Sequence, residues 1–299
     1  MSTILVTGAN GFVGRHLVQR LAGGGFAVRA MVRDRARLLA PPSVEVVEGD
    51  VTRPQSLTAV VEGVDIVIHS VAITGEQKEP YRGAYDRVNR VGTENLAAAA
   101  RAAGVKRLIS LSGLGNHPDK AGTYMATRWG MDEAVRNSGI PYFLVQPSVQ
   151  FGDGSVFVSA LVNLARQSPV MPLIGGGSLR FQPIWVEDVV TCIIQGITED
   201  RLLGRAIEIG GSEFVTFREV IEVIVAALGK KRTMVTLPVP VARLQARLLG
   251  AIMSHPPLTS AALELFGFDN VTALDAVDKE FGFHPRGFRE HIAAHGLTG

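Results

Sequence analysis

The chain has 299 residues, 46% of them hydrophobic, with 30 Lys plus Arg against 28 Asp plus Glu for a net charge of +2. Such a chain can bury a large core, which excludes a disordered segment. It has no basic run interleaved with aromatics, which excludes nucleic acid as the expected partner.

In chain order, short β-branched runs alternate with helical patterns: TILVT, then 11–23; FAVRAMV, then the thirties; VEVVEGD, then 54–62; DIVIHS, then 84–103; KRLISLS, the helix bearing Tyr124, and YFLVQPS. The alternation predicts an α/β fold with a Rossmann-type, doubly wound parallel sheet, and runs that are apolar throughout are those of strands covered on both faces. After Pro147 the rhythm loosens into Gly-rich connections. We expect 1–150 plus 180–212 to form the core, and 151–179 plus 213–299 a smaller C-terminal substrate lobe.

The opening stretch lacks a basic region followed by a long apolar one, so no export signal is expected, and no run reaches the eighteen apolar residues of a membrane span. Cys192, the single cysteine, sits in the apolar run VVTCIIQGI and reads as a buried helix residue. The expected compartment is the cytoplasm.

TILVTGANGFVGRHL carries Gly8, Gly11 and Gly14 between a strand and a helix. A pyrophosphate needs backbone N–H groups that it can approach without a Cβ in the way, and the helix N-terminus adds partial positive charge. Gly8, Asn10, Gly11, Phe12, Val13 and Gly14 are therefore the expected dinucleotide turn, against the plainer reading of a tight turn that binds nothing. In FAVRAMVRDR, Arg33 follows the second strand, where an acidic residue would accept from a ribose 2′-OH and an arginine would hold a 2′-phosphate. NADP(H) is the expected cofactor, with NAD(H) the alternative, and Asp34 can equally cap the next short helix. Asp50 and Val51 end the third strand beside the expected adenine, where Asp50 can also serve as a helix cap near Thr52. Val71 and Ala72 follow the fourth strand beneath the cofactor; His69 before them reads as a satisfied core histidine. Tyr124 and Arg128 share a helix face at i, i+4, so the cation can acidify the phenol.

The turn TGANGFVG, the GDV stretch, Tyr124 and PSVQFG at 147–152 together resemble the short-chain dehydrogenase/reductase superfamily in its extended or atypical branch. VMPLIGGGSLRFQPIWVEDVV and HPPLTSAALELFGFDNV resemble bacterial relatives of the dinucleotide-binding accessory subunit of respiratory complex I. This resemblance implies an NAD(P)(H) site in the N-terminal half, contributed to by Pro147 and Val149, and a substrate pocket roofed by the C-terminal lobe. Working members use a tyrosine for proton transfer, a lysine four residues on that binds the nicotinamide ribose, and a Ser or Thr that polarises the substrate carbonyl. Tyr124 matches the first; Arg128 stands for the lysine; Gly113 falls at the hydroxyl position with Ser112 beside it. The expected function is an oxidoreductase or an epimerase/dehydratase-like enzyme, acting on a small carbonyl, quinone or sugar-like substrate through Tyr124, Arg128 and Ser112. The alternative is a non-catalytic dinucleotide-binding structural or sensor protein of respiratory complexes.

Glu187 and Asp188 read as acidic residues at a helix start, and Gln182 and Trp185 as pocket lining or packing. His255, His284, His291 and His295 do not form a metal motif, so no metal is expected. In PVPVARLQARLLGAIM, Val241, Leu244, Leu248 and Ile252 form one stripe beside Arg243 and Arg247, read as a helix docked on its own domain, with peripheral membrane contact as the other reading.

Overall fold

The structure, a computed structural model, describes residues 2–117, 123–253, 256 and 258–297. It divides into two compact units: Met1–Ile73, Glu79–Gln146 and Val189–Ile207 form the first, and Thr74–Lys78, Pro147–Asp188 and Glu208–Gly299 the second.

In chain order, the first unit's framework consists of β1 (Thr3–Thr7), α1 (Phe12–Gly23), β2 (Ala27–Val32), β3 (Glu45–Glu48), β4 (Ile66–His69), α2 (Gly92–Ala102), β5 (Arg107–Leu111), α3 (Thr123–Arg136), β6 (Tyr142–Pro147), α4 (Val186–Thr198) and β7 (Arg205–Ile209). Seven strands lie side by side in the order β7-β6-β5-β4-β1-β2-β3. The registers of β1 through β6 are parallel, with Thr7 beside both Met31 and His69. The sheet reverses direction of winding between β1 and β4, and in open α/β sheets ligands bind at the carboxyl ends flanking that point. Gly8 and Ser70 start the loops there.

The strands form because their residues suit a surface covered on both sides: Ile4, Leu5 and Val6 are fully buried, as are Val67 and Ile68. In α1 the buried positions Val13, Gly14, Leu17, Val18 and Leu21 share one face. Burying a leucine such as Leu17 contributes about 1.5–3 kcal/mol. Before α2 the chain makes a π-helical turn over Asp86–Val91. Gly92 follows it because a Cβ there would come within 2.7 Å of the Val51 side chain.

The second unit has its own core, in which Phe151, Val158, Val162, Phe181, Val220, Ile221, Ile224 and Phe288 are buried together. Residues 180–188 group with this unit: Arg180–Phe181 pairs antiparallel with Val215–Thr216, and Gln182 N donates to Asn270 O. Its helix Phe217–Ala227 starts with a reciprocal cap between Thr216 and Glu219.

Candidate functional site

The turn after β1 has the shape the glycines require. Gly8 has φ +70°, and a Cβ on it would lie 2.8 Å from Ser70 O. A Cβ on Gly14 would lie 2.1 Å from Gly8 O, so only glycine lets α1 start this close to the strand. Gly11 occupies the N-cap position with no side-chain cap, and the first turn of α1 holds no acidic residue. Among the described residues no carboxylate or hydroxyl caps its first-turn N–H groups, those of Phe12 and Val13 among them, as an anion site needs. Asn10 and Gly11 are exposed, whereas the Val13 side chain packs into the core. A dinucleotide diphosphate fits this cradle.

At the end of β2, Arg33 is exposed and forms no ion pair among the described residues. Asp34 is already engaged: its carboxylate accepts from Ala36 N at 3.0 Å, capping the turn Arg35–Arg37, and faces Arg37 at 3.6 Å. The cation is left open while the neighbouring anion is used. Asp50 is half-buried, and one of its oxygens accepts from both the N–H and the hydroxyl of Thr52 at 2.8 Å. Its second oxygen lies 4.0 Å from Arg53. The Val51 side chain is buried in the core and its carbonyl accepts from Asn95, so only its N–H remains for a ligand.

Below this edge runs a buried polar chain. Thr7 Oγ1 lies 2.8 Å from His69 Nδ1, and His69 Nε2 lies 3.0 Å from Thr93 Oγ1. Because Thr93 donates its one hydroxyl proton to Asn89 O at 2.6 Å, Nε2 must carry the imidazole proton and Nδ1 accepts from Thr7. The Asn89 amide clasps the loop after β4, accepting from Ile73 N at 2.8 Å and donating to Ile73 O at 3.0 Å. It also reaches Thr127 Oγ1 at 3.4 Å, and Thr127 donates to Tyr124 O at 2.7 Å. Val71 and Ala72, half-buried, are held in that clasped loop.

Burial first, and then the charge of Arg128, lower the pKa of His69 from 6.5 to about 3. The unfolded chain binds a proton below 6.5 that the folded chain refuses until about 3, so the stability present above 6.5 declines as pH falls through that window. The loss is at most about 5 kcal/mol. Comparing acid unfolding curves of the parent and His69→Gln should show this part of the slope gone from the variant. Other groups, such as Asp132, contribute equally to both and cancel.

On α3, Tyr124, Arg128 and Asp132 follow at i, i+4 and i+8. Tyr124 is 6% exposed, with its ring edge-on to Tyr85 at 5.3 Å between centroids. Arg128 is also 6% exposed, yet among the described residues its only hydrogen bond is to Met131 Sδ at 3.6 Å. The carboxyl one turn on is used elsewhere: Asp132, fully buried, accepts from Ser112 Oγ, from Gln146 Nε2 at 2.9 Å and from Asn116 Nδ2 at 3.3 Å. Burial pushes the Asp132 carboxyl above its usual range, against the opposing pull of Ser112, Arg128, Asn116 and Arg136. Ser112 is itself 4% exposed; it gives its proton to Asp132 and accepts from Asn116 at 2.8 Å, so its hydroxyl faces the interior network. A Cβ on Gly113 would lie 3.5 Å from Arg128 Nη2, which puts that position beside the guanidinium with no hydroxyl to offer. Sequence reasoning missed Asp132, Gln146 and Asn116; the i+8 spacing from Tyr124 was the available signal for the first.

Pro147 and Val149 lie in the second unit, where Val149 N donates to Asn270 Oδ1 at 3.1 Å and Ser148 Oγ to the same oxygen at 2.8 Å. Gln182 is packing and not pocket lining: fully buried, it donates to Gly211 O and accepts from Thr272 N, both at 2.8 Å. Glu187 and Asp188 stand in the first turn of α4, and Asp188 accepts from Arg286 N. Trp185 lies beneath Arg286, 4.2 Å from its ring centre. His291 and His295 stack at 4.7 Å, His284 pairs with Asp278, and His255 lies outside the described residues. Cys192 is buried in α4. No helix among the described residues is long and apolar enough to cross a membrane.

A parallel sheet whose first turn is a collision-free glycine cradle over an uncapped helix defines a dinucleotide-binding protein. Residues 8–155 match the model of the NAD(P)H-binding family. The chain is 32% identical to the ceramide reductase of Caulobacter vibrioides over 79% of its own length and 74% of that protein's. It is 27% identical to NADH dehydrogenase [ubiquinone] 1 alpha subcomplex subunit 9, mitochondrial, of Arabidopsis thaliana, over 90% of this chain and 68% of that one. Its fold is that of the dTDP-glucose 4,6-dehydratase of Streptomyces venezuelae, solved with NAD bound, at a TM-score of 0.75 and 20% identity, covering 98% of this chain and 95% of the other. The chain belongs to the short-chain dehydrogenase/reductase superfamily, among its NAD(P)H-binding, epimerase/dehydratase-like members.

Proposed function

We propose that this chain is an NADP(H)-dependent oxidoreductase of small carbonyl compounds, with Tyr124 as proton donor and Arg128 as the cationic anchor beside it. The observation that carries this reading is the guanidinium of Arg128, 94% buried and in no ion pair or hydrogen bond with a carboxylate among the described residues. A buried charge left unpaired is strongly destabilising, so its place in the fold makes sense when an electron-rich ligand group completes it. A ribose diol offers such acceptors, and a guanidinium can meet two of them at once.

When bound, the dinucleotide supplies the hydride. The chain's own residues do the rest. The backbone of 11–13 binds the diphosphate, Arg33 pairs a 2′-phosphate, and Arg128 keeps positive charge next to Tyr124 so that its hydroxyl can part with a proton. Arginine stays charged throughout and holds the proton donor's field constant, but it does not itself pass a proton on. No hydroxyl at position 113 polarises the carbonyl, which predicts slow turnover: one missing donor of this kind costs roughly a hundredfold to a thousandfold in rate.

That absence, with Ser112 turned toward Asp132, also favours a second reading, in which the chain binds the dinucleotide without turning it over. One experiment separates them. Fluorescence titration should show NADPH bound more tightly than NADH by tenfold or so, and Arg33→Ala should erase the difference; equal affinities in the parent would remove the role given to Arg33. Turnover of carbonyl, quinone and sugar-like substrates with NADPH should then fall by roughly a hundredfold or more in Tyr124→Phe with cofactor affinity unchanged. Binding without turnover of any substrate would leave the second reading standing.

A further inference from the structure

The helix Val239–Ile252 in the second unit is docked the opposite way from the usual amphipathic helix. Its docked face carries Ala242 and Ala246, both buried, with Val239 packed against the same core and Leu249 half-buried. Four large apolar residues face out: Val241 is 44% exposed, Leu244 58%, Leu248 60% and Ile252 80%. At 3.6 residues per turn these four span an arc of about 80°, with Arg243 and Arg247 on the flank between that arc and the docked face. Met253, just past the helix, and Val235, on the strand before it, are exposed as well. Four such side chains in an unbroken outward row mark an interaction surface.

The charge around the row indicates what it meets. Arg243 and Arg247 flank the row, and between Val223 and Leu263 the sequence has no Asp or Glu. At the C-terminal end Lys78 donates to Met253 O at 2.9 Å, with Glu76 and Glu79 beside it in sequence. A second copy placed on the same face would set these cations against each other. An apolar row bordered by arginines, in a stretch free of carboxylates, matches a bilayer carrying negative headgroups: the row enters the acyl boundary and the arginines stay at headgroup level.

We infer that the helix Val239–Ile252 seats the protein on the surface of an anionic lipid membrane, lying in the interface without crossing it. The inference stands apart from the cofactor site and needs no turnover. The test is flotation of the full chain with vesicles of phosphatidylcholine alone and with vesicles about one-quarter phosphatidylglycerol. Recovery should be roughly tenfold or more higher with the anionic vesicles and should fall as salt rises. Leu248→Asp, and Arg243→Glu with Arg247→Glu, should each remove it. Because all three positions are exposed, both variants should keep the parent's melting temperature and NADPH affinity. Equal recovery with the two vesicle types, or a Leu248→Asp protein that floats like the parent, would overturn the inference. So would sedimentation showing a parent dimer that Leu248→Asp splits, since the row would then be covered by a second copy.

Discussion

Gly14→Ala is expected to weaken NADPH binding by roughly a hundredfold or more. The added Cβ would sit 2.1 Å from Gly8 O and 2.8 Å from its carbonyl carbon, both backbone atoms that no rotamer change can move aside. Helix α1 must therefore back away from β1, which carries the first-turn N–H groups out of register with the diphosphate. Part of the cost appears as stability, because Val13 and Leu17 on the same helix leave the core with it. Gly23→Ala, at the far end of α1 where a Cβ meets nothing within 4 Å, is the matched control and should bind as the parent does. Near-normal NADPH affinity in Gly14→Ala would show that the cradle is not the diphosphate site.

Asp132→Ala is expected to destabilise the first unit by about 3–5 kcal/mol, the range for removing one partner from a buried charged network. The substitution strands three donors at once, Ser112 Oγ, Asn116 Nδ2 and Gln146 Nε2, in a place where Asp132 is wholly buried. It also removes a carboxyl whose titration feels the charge of Arg128. Asp132→Asn keeps the shape and one acceptor, so it should recover part of the loss. Denaturant unfolding followed by Trp129 fluorescence measures both, and a change below about 1 kcal/mol in Asp132→Ala would mean that the network is solvated in the folded protein.

The sheet was legible because strands such as β1, β4 and β6 are apolar, β-branched runs, the pattern of burial on both faces, whereas β3, at the sheet edge, reads EVVE and buries none of its four residues. The glycine turn was legible for a related reason: close approach excludes every other residue type, so its spacing is written in the sequence. Tyr124 and Arg128 were legible as a pair by helical spacing. The partners of Asp132 were not, since Ser112 and Asn116 come from the loop after β5 and Gln146 from β6, and only the folded sheet brings them together. Ser112 was read as catalytic because it lies beside Gly113, but adjacency in an extended segment sends side chains to opposite sides. The helix Val239–Ile252 shows another limit. Its periodicity revealed an apolar stripe but not which side is docked, and the burial of Ala242 and Ala246 shows that the stripe is the outward side.

The polar chain through Thr7, His69, Thr93, Asn89, Thr127 and the backbone of Tyr124 has a consequence for how an incoming ligand is received. Its first member immediately precedes the glycine cradle and its last is the peptide carbonyl of Tyr124, so the expected diphosphate cradle and the helix that carries Tyr124 are tied to one internal scaffold. Ordering entropy for these groups is spent during folding, not upon association. A pre-set receptor of this kind should hold its ligand with little rearrangement, and loosening any middle link would be felt at both extremities together.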